Sequence, residues 1–471
     1  MRNIDTIYID GRFVTPNGTE TIDLHNPSTE EKIGTVRLGD AEDAQEAVAA
    51  AKRAFPAFSR TAKAERIDML KQLNAAVLAR VPDLTEAMAL EYGAPQVFTR
   101  FSVPHAASSF ATMATVLEDY QFERKIGRAR VVMQPSGVAA AITPWNSNIG
   151  FITSKLATAI AAGTTIVIKP SEMSAIQTQI LIECLHEAGL PEGVFNIVNG
   201  LGNVVGAELS RHPDISKVTF TGSTAVGREI LQSAADTFKR VTLELGGKGP
   251  NIILDDADLE VVIPAVLRMG FVNSGQACVA GTRILVPSHR LDDVLSKLKQ
   301  EINAFKVGAP DDPNAMIGPM VSQKQYDRVQ SYIELGLQEG ASLLAGGLGR
   351  PDGLERGWFP KPTIFTGVNN QMRIAREEIF GPVLSVIAYR DDDEAVSIAN
   401  DTPYGLQAYL HGTDASRMQA LADRLDSGRV VINGALHEPL APFGGFKQSG
   451  IGREYGVFGL EAFLEPKAII S

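Results

Sequence analysis

Between Gly137 and Leu245 the chain alternates short β-branched, apolar runs with helical stretches, and this rhythm constrains the fold more than any other feature. It predicts strands at Val138–Ile142, Thr165–Lys169, Val194–Val198, Lys217–Phe220 and Val241–Glu244. The intervening helices fall near Lys155–Ala161, Ala175–Ala188, Val204–Ser210 and Ala225–Ala235. Parallel neighbours need a long crossover, which a helix supplies, so the pattern predicts a doubly wound, largely parallel sheet. Such sheets bind ligands outside the carboxyl ends of their strands. A second alternating block, from about Asn251 to Asn433, has strands at Asn251–Leu254, Arg283–Val286, Leu384–Tyr389 and Arg429–Ile432. Its helices lie near Leu291–Phe305, Lys324–Gly340 and Asp393–Asn400. The fold class is therefore α/β, with two doubly wound domains.

Ahead of these blocks, short strands around Ile7–Ile9 and Arg12–Val14 turn at Asp10-Gly11, and Asp40 caps a helix with Ala44, Ala47, Val48, Ala51 and Phe55 at helical spacing. A further helix spans about Ala64 to Arg80. Two strand-like pieces, Phe122–Gln134 and Ala462–Ile470, fit neither block; a local hairpin and pairing with another subunit are both open for them. A net charge of −11 with no long basic cluster argues against nucleic acid and anionic membrane as partners. No uncharged apolar run approaches the ~20 residues that span a bilayer. Two cysteines in 471 residues exclude a disulfide framework, and the polar start Met1-Arg2-Asn3-Ile4-Asp5 is unlike a signal peptide, so a reducing, cytoplasmic setting is expected. No metal site is expected.

The two cysteines differ in context. Cys184 lies in the apolar body of a helix, Ile180-Leu181-Ile182-Glu183-Cys184-Leu185, and reads as a small buried hydrophobe. Cys278 ends Asn273-Ser274-Gly275-Gln276-Ala277-Cys278, an uncharged segment with a glycine, following Glu244-Leu245-Gly246-Gly247-Lys248. A thiolate is a nucleophile, and a carboxylate can serve as its base or activate a water afterwards. Other punctuated loops close the first block's strands. In Thr143-Pro144-Trp145-Asn146, Trp145 reads as packing, while Asn146 offers either a cap or a neutral donor for a developing oxyanion. In Lys169-Pro170-Ser171-Glu172, Lys169 can meet a hydroxyl or phosphate and Glu172 can accept from ribose hydroxyls, although a solvated turn has the same composition. In Phe220-Thr221-Gly222-Ser223 a strand meets a helix whose free N–H groups suit a pyrophosphate, as they would an ordinary tight turn. Further on, Glu377-Glu378-Ile379-Phe380-Gly381-Pro382 and the Gly-rich Pro442–Gly450 each read as structural when taken alone.

Taken in order, these seven motifs resemble the aldehyde dehydrogenase superfamily over essentially the whole chain. The resemblance implies a Rossmann-like cofactor domain from residues 1–117 and 136–246, a catalytic domain at 247–448, and a small strand-rich oligomerisation element from 118–135 and 449–471. It implies Cys278 as the nucleophile, Asn146 with the Cys278 backbone N–H as the oxyanion hole, and Glu244 as the base for the water that hydrolyses the thioester. Lys155 matches a family lysine linked to proton relay, though a solvated helix lysine would look the same. Trp145, Lys169, Ser171, Glu172, Gly222, Ser223, Gly246, Glu378 and Phe380 fall at cofactor positions. Glu172 opposes a 2′-phosphate, which favours NAD over NADP, while Lys169 and Ser171 could tolerate the phosphate. The family habit of exchanging strands implies a homodimer or homotetramer, with a small-molecule aldehyde as substrate.

The sequence departs from the family around the pocket. Ser147 and Asn148 stand where an aromatic and a proline are frequent, and Ser154 occupies a position that is often aromatic. With Phe151, His437, Glu438 and Phe443, these positions imply a roomier, more polar channel, suited to aldehydes bearing hydroxyl, amino or similar groups. Two alternatives stand beside oxidation to the acid. Acyl transfer to coenzyme A would not need Glu244, and a catalytically silent binding protein would have no use for Cys278, Asn146 and Glu244 together. Replacing Cys278 by Ala should abolish turnover while NAD still binds, and Cys184→Ala should leave turnover unchanged. Steady-state assays with cofactor titration separate the two; residual turnover in Cys278→Ala beyond a trace removes that thiol from the mechanism.

Overall fold

The computed structural model describes residues 1–471. The strands Val138–Ile142, Thr165–Lys169, Phe195–Ile197, Ile215–Thr221 and Arg240–Glu244 lie parallel. The first strand sits at the centre. The next two build outward on one side and the last two on the other. The chain therefore reverses direction between Val138–Ile142 and Ile215–Thr221, and at such a switch point two crossovers diverge and leave a crevice. The loop Thr143–Asn146 and the turn Gly222–Ser223 both open there. Antiparallel strands close the sheet at either edge: Ile7–Ile9 with Arg12–Val14, and Gly450–Ile451.

The helices on its faces follow from apolar spacing. Asn148–Ala162 is buried almost throughout and reaches about two turns further toward its N-terminus than periodicity predicts. Ala41–Phe58 is capped by Asp40, whose carboxylate accepts from the N–H groups of Glu42 and Asp43. The expected helix near Val204 begins instead as a wide turn over Gly202–Gly206 and becomes α-helical only at Ala207–Arg211. The sequence reading does not reach the helices Leu259–Gly270, Ala415–Ala422 and Gly456–Glu461, nor Val81–Tyr92 and the 24-residue Gln96–Asp119. The latter carries Pro104 and polar residues that obscure its pattern, and it matters because its face lines the cavity described below.

The second sheet runs Ser342–Ala345, Thr363–Thr366, Val383–Tyr389, Arg283–Pro287, Pro250–Ile253, Gln407–His411, Arg429–Ile432, parallel except at its first, edge strand. The sequence reading missed Ser342–Ala345, Thr363–Thr366 and Gln407–His411. The segments that matter chemically lie before the amino ends of its strands: Cys278 before Arg283, Gly246-Gly247 before Pro250, and Phe380-Gly381 before Val383. They thus meet the carboxyl ends of the first sheet.

The two pieces that fitted neither block find each other. Glu123–Ile126 and Ala129–Pro135 form a hairpin, and Leu464–Ile470 pairs antiparallel along Ala129–Pro135 from Leu464 opposite Pro135 to Ile470 opposite Ala129. Both outer strands of this small sheet keep an unpaired edge. No helix is long and apolar enough to cross a membrane.

Candidate active site

The position of Cys278 is set by its backbone. Asn273, Ser274 and Gly275 all take positive φ, at 51°, 59° and 74°. For the two non-glycine residues this costs of order 1–3 kcal/mol each, so neighbours must hold the turn. The Asn273 amide donates to the Asn146 carbonyl at 2.9 Å and to the Gln276 carbonyl at 3.3 Å, and the Asn146 amide donates to that same Gln276 carbonyl at 2.9 Å. Gln276 in turn donates to the Tyr92 hydroxyl and accepts from the Val321 N–H. The Ser274 hydroxyl accepts from the Gly318 N–H at 2.8 Å. At Gly275 any side chain would overlap the Gly381 backbone, so only glycine lets the turn seat against the Phe380–Pro382 loop.

Cys278 lies beyond this turn, part of its surface open to a cavity of about 270 Å³. Glu244, Asn146, Ser147, Phe151, Ser154, His437 and Phe443 line the same cavity. Asn148 does not: it is fully buried and its amide donates to the Thr178 hydroxyl on a neighbouring helix. Glu438 is exposed and accepts from the Leu440 N–H, capping its own loop. Both corrections come from loop path and helix rotation, which sequence does not carry. Residues the sequence reading missed complete the wall: Phe98, Phe101 and His105 from Gln96–Asp119, with Arg429 and Tyr455.

Burial controls the chemistry of these groups. It pushes the Cys278 thiol up to about 12, reinforced by the carboxylates of Glu378 and Glu244, while the N–H groups of Cys278 and Val279 oppose the shift. Glu244 is buried, and neither of its carboxylate oxygens has a hydrogen-bond partner. Burial first, then the charge of Glu454, raises it well above the ordinary carboxylate range. A carboxylate so placed is more basic than an exposed one and has both oxygens free for water.

Lys155 points away from this cavity. Its buried ammonium donates to the Thr219 hydroxyl at 3.0 Å and pairs with Glu454 in a smaller cavity behind. Ser154, Thr158 and Tyr455 line both spaces. Glu454 went unnoticed in the sequence, although Gly452-Arg453-Glu454-Tyr455-Gly456, a charged pair between glycines, was a usable signal.

The expected cofactor residues follow the carboxyl ends of neighbouring strands of the first sheet, except Glu378 and Phe380, which come from the second. Lys169 is buried and donates to Glu172 at 3.2 Å; Ser171 caps the turn Glu172–Ser174 by accepting from the Met173 N–H. Ser223 caps the helix Thr224–Ala235 through the Val226 N–H. Gly222 packs against the Phe220 ring, and a side chain there would overlap it. Glu378 accepts from the Gly247 N–H at 3.0 Å, and a Cβ on Gly246 would come within 2.6 Å of its carboxylate. Burial raises Glu378 to about 7. Phe380, at φ 63°, meets Trp145 edge-on with ring centroids 5.4 Å apart. The hydroxyls of Thr143 and Thr221, buried at the ends of two central strands, have no partner. A glycine-lined cradle, a capped helix N-terminus and orphaned hydroxyls at one crevice fit a dinucleotide.

Comparison with known proteins gives one answer. The sequence pattern of the aldehyde dehydrogenase family matches residues 13–469. The chain is 47% identical over 472 aligned positions to the 3-succinoylsemialdehyde-pyridine dehydrogenase of a Pseudomonas species, covering 100% of this chain and 99% of that protein. Among solved structures, aldehyde dehydrogenase C of Pseudomonas syringae, a mutant complexed with NAD+ and octanal, superposes with a TM-score of 0.98 at 44% identity, covering 99% of this chain and 96% of that one. An aldehyde dehydrogenase of Mycobacterium tuberculosis complexed with NAD+ gives 0.96 at 38% identity, covering 100% and 98%.

Proposed function

The chain belongs to the aldehyde dehydrogenase family, and from that premise we propose that Cys278, Asn146 and Glu244 carry its reaction. The protein oxidises an aldehyde to its carboxylic acid with NAD as cofactor. The observation that carries the assignment of residues is the single cavity onto which the Cys278 thiol, the Asn146 amide and the unpartnered Glu244 carboxylate all open.

The Cys278 thiol gives up its proton to water in the cavity as Sγ attacks the aldehyde carbon, and the new oxyanion is held by Asn146 and the Cys278 N–H. The Asn146 amide has two N–H groups, of which the Gln276 carbonyl takes one. NAD, when bound, supplies the hydride acceptor. Cys278 is left as a thioester. Glu244 removes a proton from water as the oxygen attacks the acyl carbon, the C–S bond breaks, and the acid leaves. Ser154, Thr158 and Tyr455 border the route from there to the Lys155–Glu454 pair, which supports a relay of that proton away from the cavity. Trp145, Gly246, Glu378 and Phe380 hold the nicotinamide end; Gly222 and Ser223 receive the pyrophosphate. Lys169, Ser171 and Glu172 hold the adenosine ribose, where the Glu172 carboxylate favours NAD. Residues 1–117 with 136–246 serve as the cofactor domain and 247–448 as the catalytic domain.

The small sheet, residues 118–135 with 449–471, joins subunits into a homodimer or homotetramer. Its support is the unpaired edge of Leu464–Ile470, where Ile470 is 80% exposed, and the exposed Ile126 on the opposite edge. Sedimentation at micromolar concentration should give a dimer or tetramer, and a stable active monomer would contradict this. For the chemistry, Glu244→Gln should show a burst of NADH followed by turnover slowed roughly 10²–10⁴-fold, the range for loss of a general base. Slow hydride transfer without a burst would instead put Glu244 at the thiol step.

A further inference from the structure

One cation on the wall of the aldehyde cavity lacks a carboxylate partner. Arg429 begins the strand Arg429–Ile432, and its guanidinium borders the same space as Cys278. Its side-chain hydrogen bond goes to Nδ1 of His437, and its Cζ lies 5.8 Å from the centre of the Phe443 ring. A guanidinium has five N–H donors, so most of those on Arg429 have no acceptor in the protein. The ionisable groups that act on it are the phenols of Tyr455 and Tyr409, and burial lowers its pKa without an opposing anion.

The surrounding groups do not supply the missing charge. Glu244 is the one carboxylate lining the cavity, and burial keeps it raised. Burial, then the charges of Arg429 and His105, pushes His437 down to about 4, so its ring is neutral and serves as an acceptor. A partly buried guanidinium left without a counter-ion is costly, and a ligand that brings an acceptor oxygen removes that cost.

We propose that Arg429 is a specificity-determining residue of this channel, receiving an acceptor oxygen, carboxylate or ketone, at the end of the substrate remote from the aldehyde. The aromatic rings of Phe101, Phe151 and Phe443 line the same cavity and offer an apolar wall to the carbon chain. The inference rests on the assignment of this cavity to aldehyde oxidation and narrows it. Of the polar groups that the sequence suggested, it selects oxygen acceptors and disfavours ammonium, which Arg429 would repel.

The test compares wild type, Arg429→Met and Arg429→Lys on hexanal, its ω-carboxylate counterpart of equal length, and a ketoaldehyde of equal length, each with NAD. Wild type should prefer at least one oxygen-bearing substrate to hexanal by roughly tenfold or more in kcat/KM. Arg429→Met should lower that preferred kcat/KM by roughly 10²-fold, chiefly through KM, the size expected for a charge-assisted hydrogen bond, with hexanal changed by less than about threefold. Arg429→Lys keeps the charge and loses the planar fork, so it should recover part of the loss on the carboxylate. A loss confined to the carboxylate assigns an anionic partner; an equal loss on the ketone assigns a neutral one. Equal losses on all three substrates, or a wild type that prefers hexanal, would overturn the proposal. Failure of wild type to oxidise any aldehyde with NAD would overturn the underlying reading of the cavity instead.

Discussion

The left-handed turn at Asn273-Ser274-Gly275 is the constraint from which the site follows. Two of its residues carry side chains in a region that L-residues rarely adopt, and the local bonds between Asn273 and Gln276 are not the only contacts that hold them there. The turn persists because Asn273 is bonded to Asn146 and Gln276, Ser274 to Gly318, and Gly275 is seated on the Gly381 backbone. Those bonds span both sheets. Asn146 follows the central strand of the first, Gly381 precedes a strand of the second, and Cys278 lies between them. Cys278, Asn146 and the Glu378–Phe380 loop are thereby held by one set of contacts, as the proposed chemistry requires of preorganised groups.

Around that frame, charge is arranged by burial more than by pairing. Glu244 in the cavity and Glu378 against Gly246 and Gly247 have no cation in side-chain contact, and burial raises both; the Cys278 thiol rises with them. The one tight ion pair near the site, Lys155 with Glu454, sits behind the reaction cavity. The raised carboxylate of Glu244 lines the cavity beside Cys278, and the Lys155–Glu454 ion pair is kept apart from it.

Much of this was legible in the chain. Strand–helix alternation gave every parallel strand of the first sheet to within a few residues, because buried parallel strands are continuous apolar runs bounded by turn residues. It failed for Gln407–His411 and Thr363–Thr366, short strands with polar members at Gln407, His411 and Thr363 that are buried only because the assembled sheet supplies partners. At the site, residues in glycine-punctuated motifs such as Cys278, Glu244 and Gly246 were visible. Tyr92, His105 and Arg429 were not, because each reaches the site from a segment whose local pattern describes only its own strand or helix; Glu454, between Gly452 and Gly456, had a local signal that the reading passed over. Asn148 and Glu438 were misplaced for the complementary reason: their polarity was plain, but its direction depends on helix rotation and loop path.

The central claim is that the strained turn and the oxyanion donor act as one unit, and a double-mutant cycle on kcat/KM measures this directly. Asn146→Ala alone should cost roughly 10²–10³-fold, the usual loss for an oxyanion donor. Asn273→Ala alone should cost roughly tenfold or more by releasing Asn146 and Gln276, and the double variant should fall no more than about threefold below Asn146→Ala. Losses that simply multiply would show that the two residues act independently and would contradict the account.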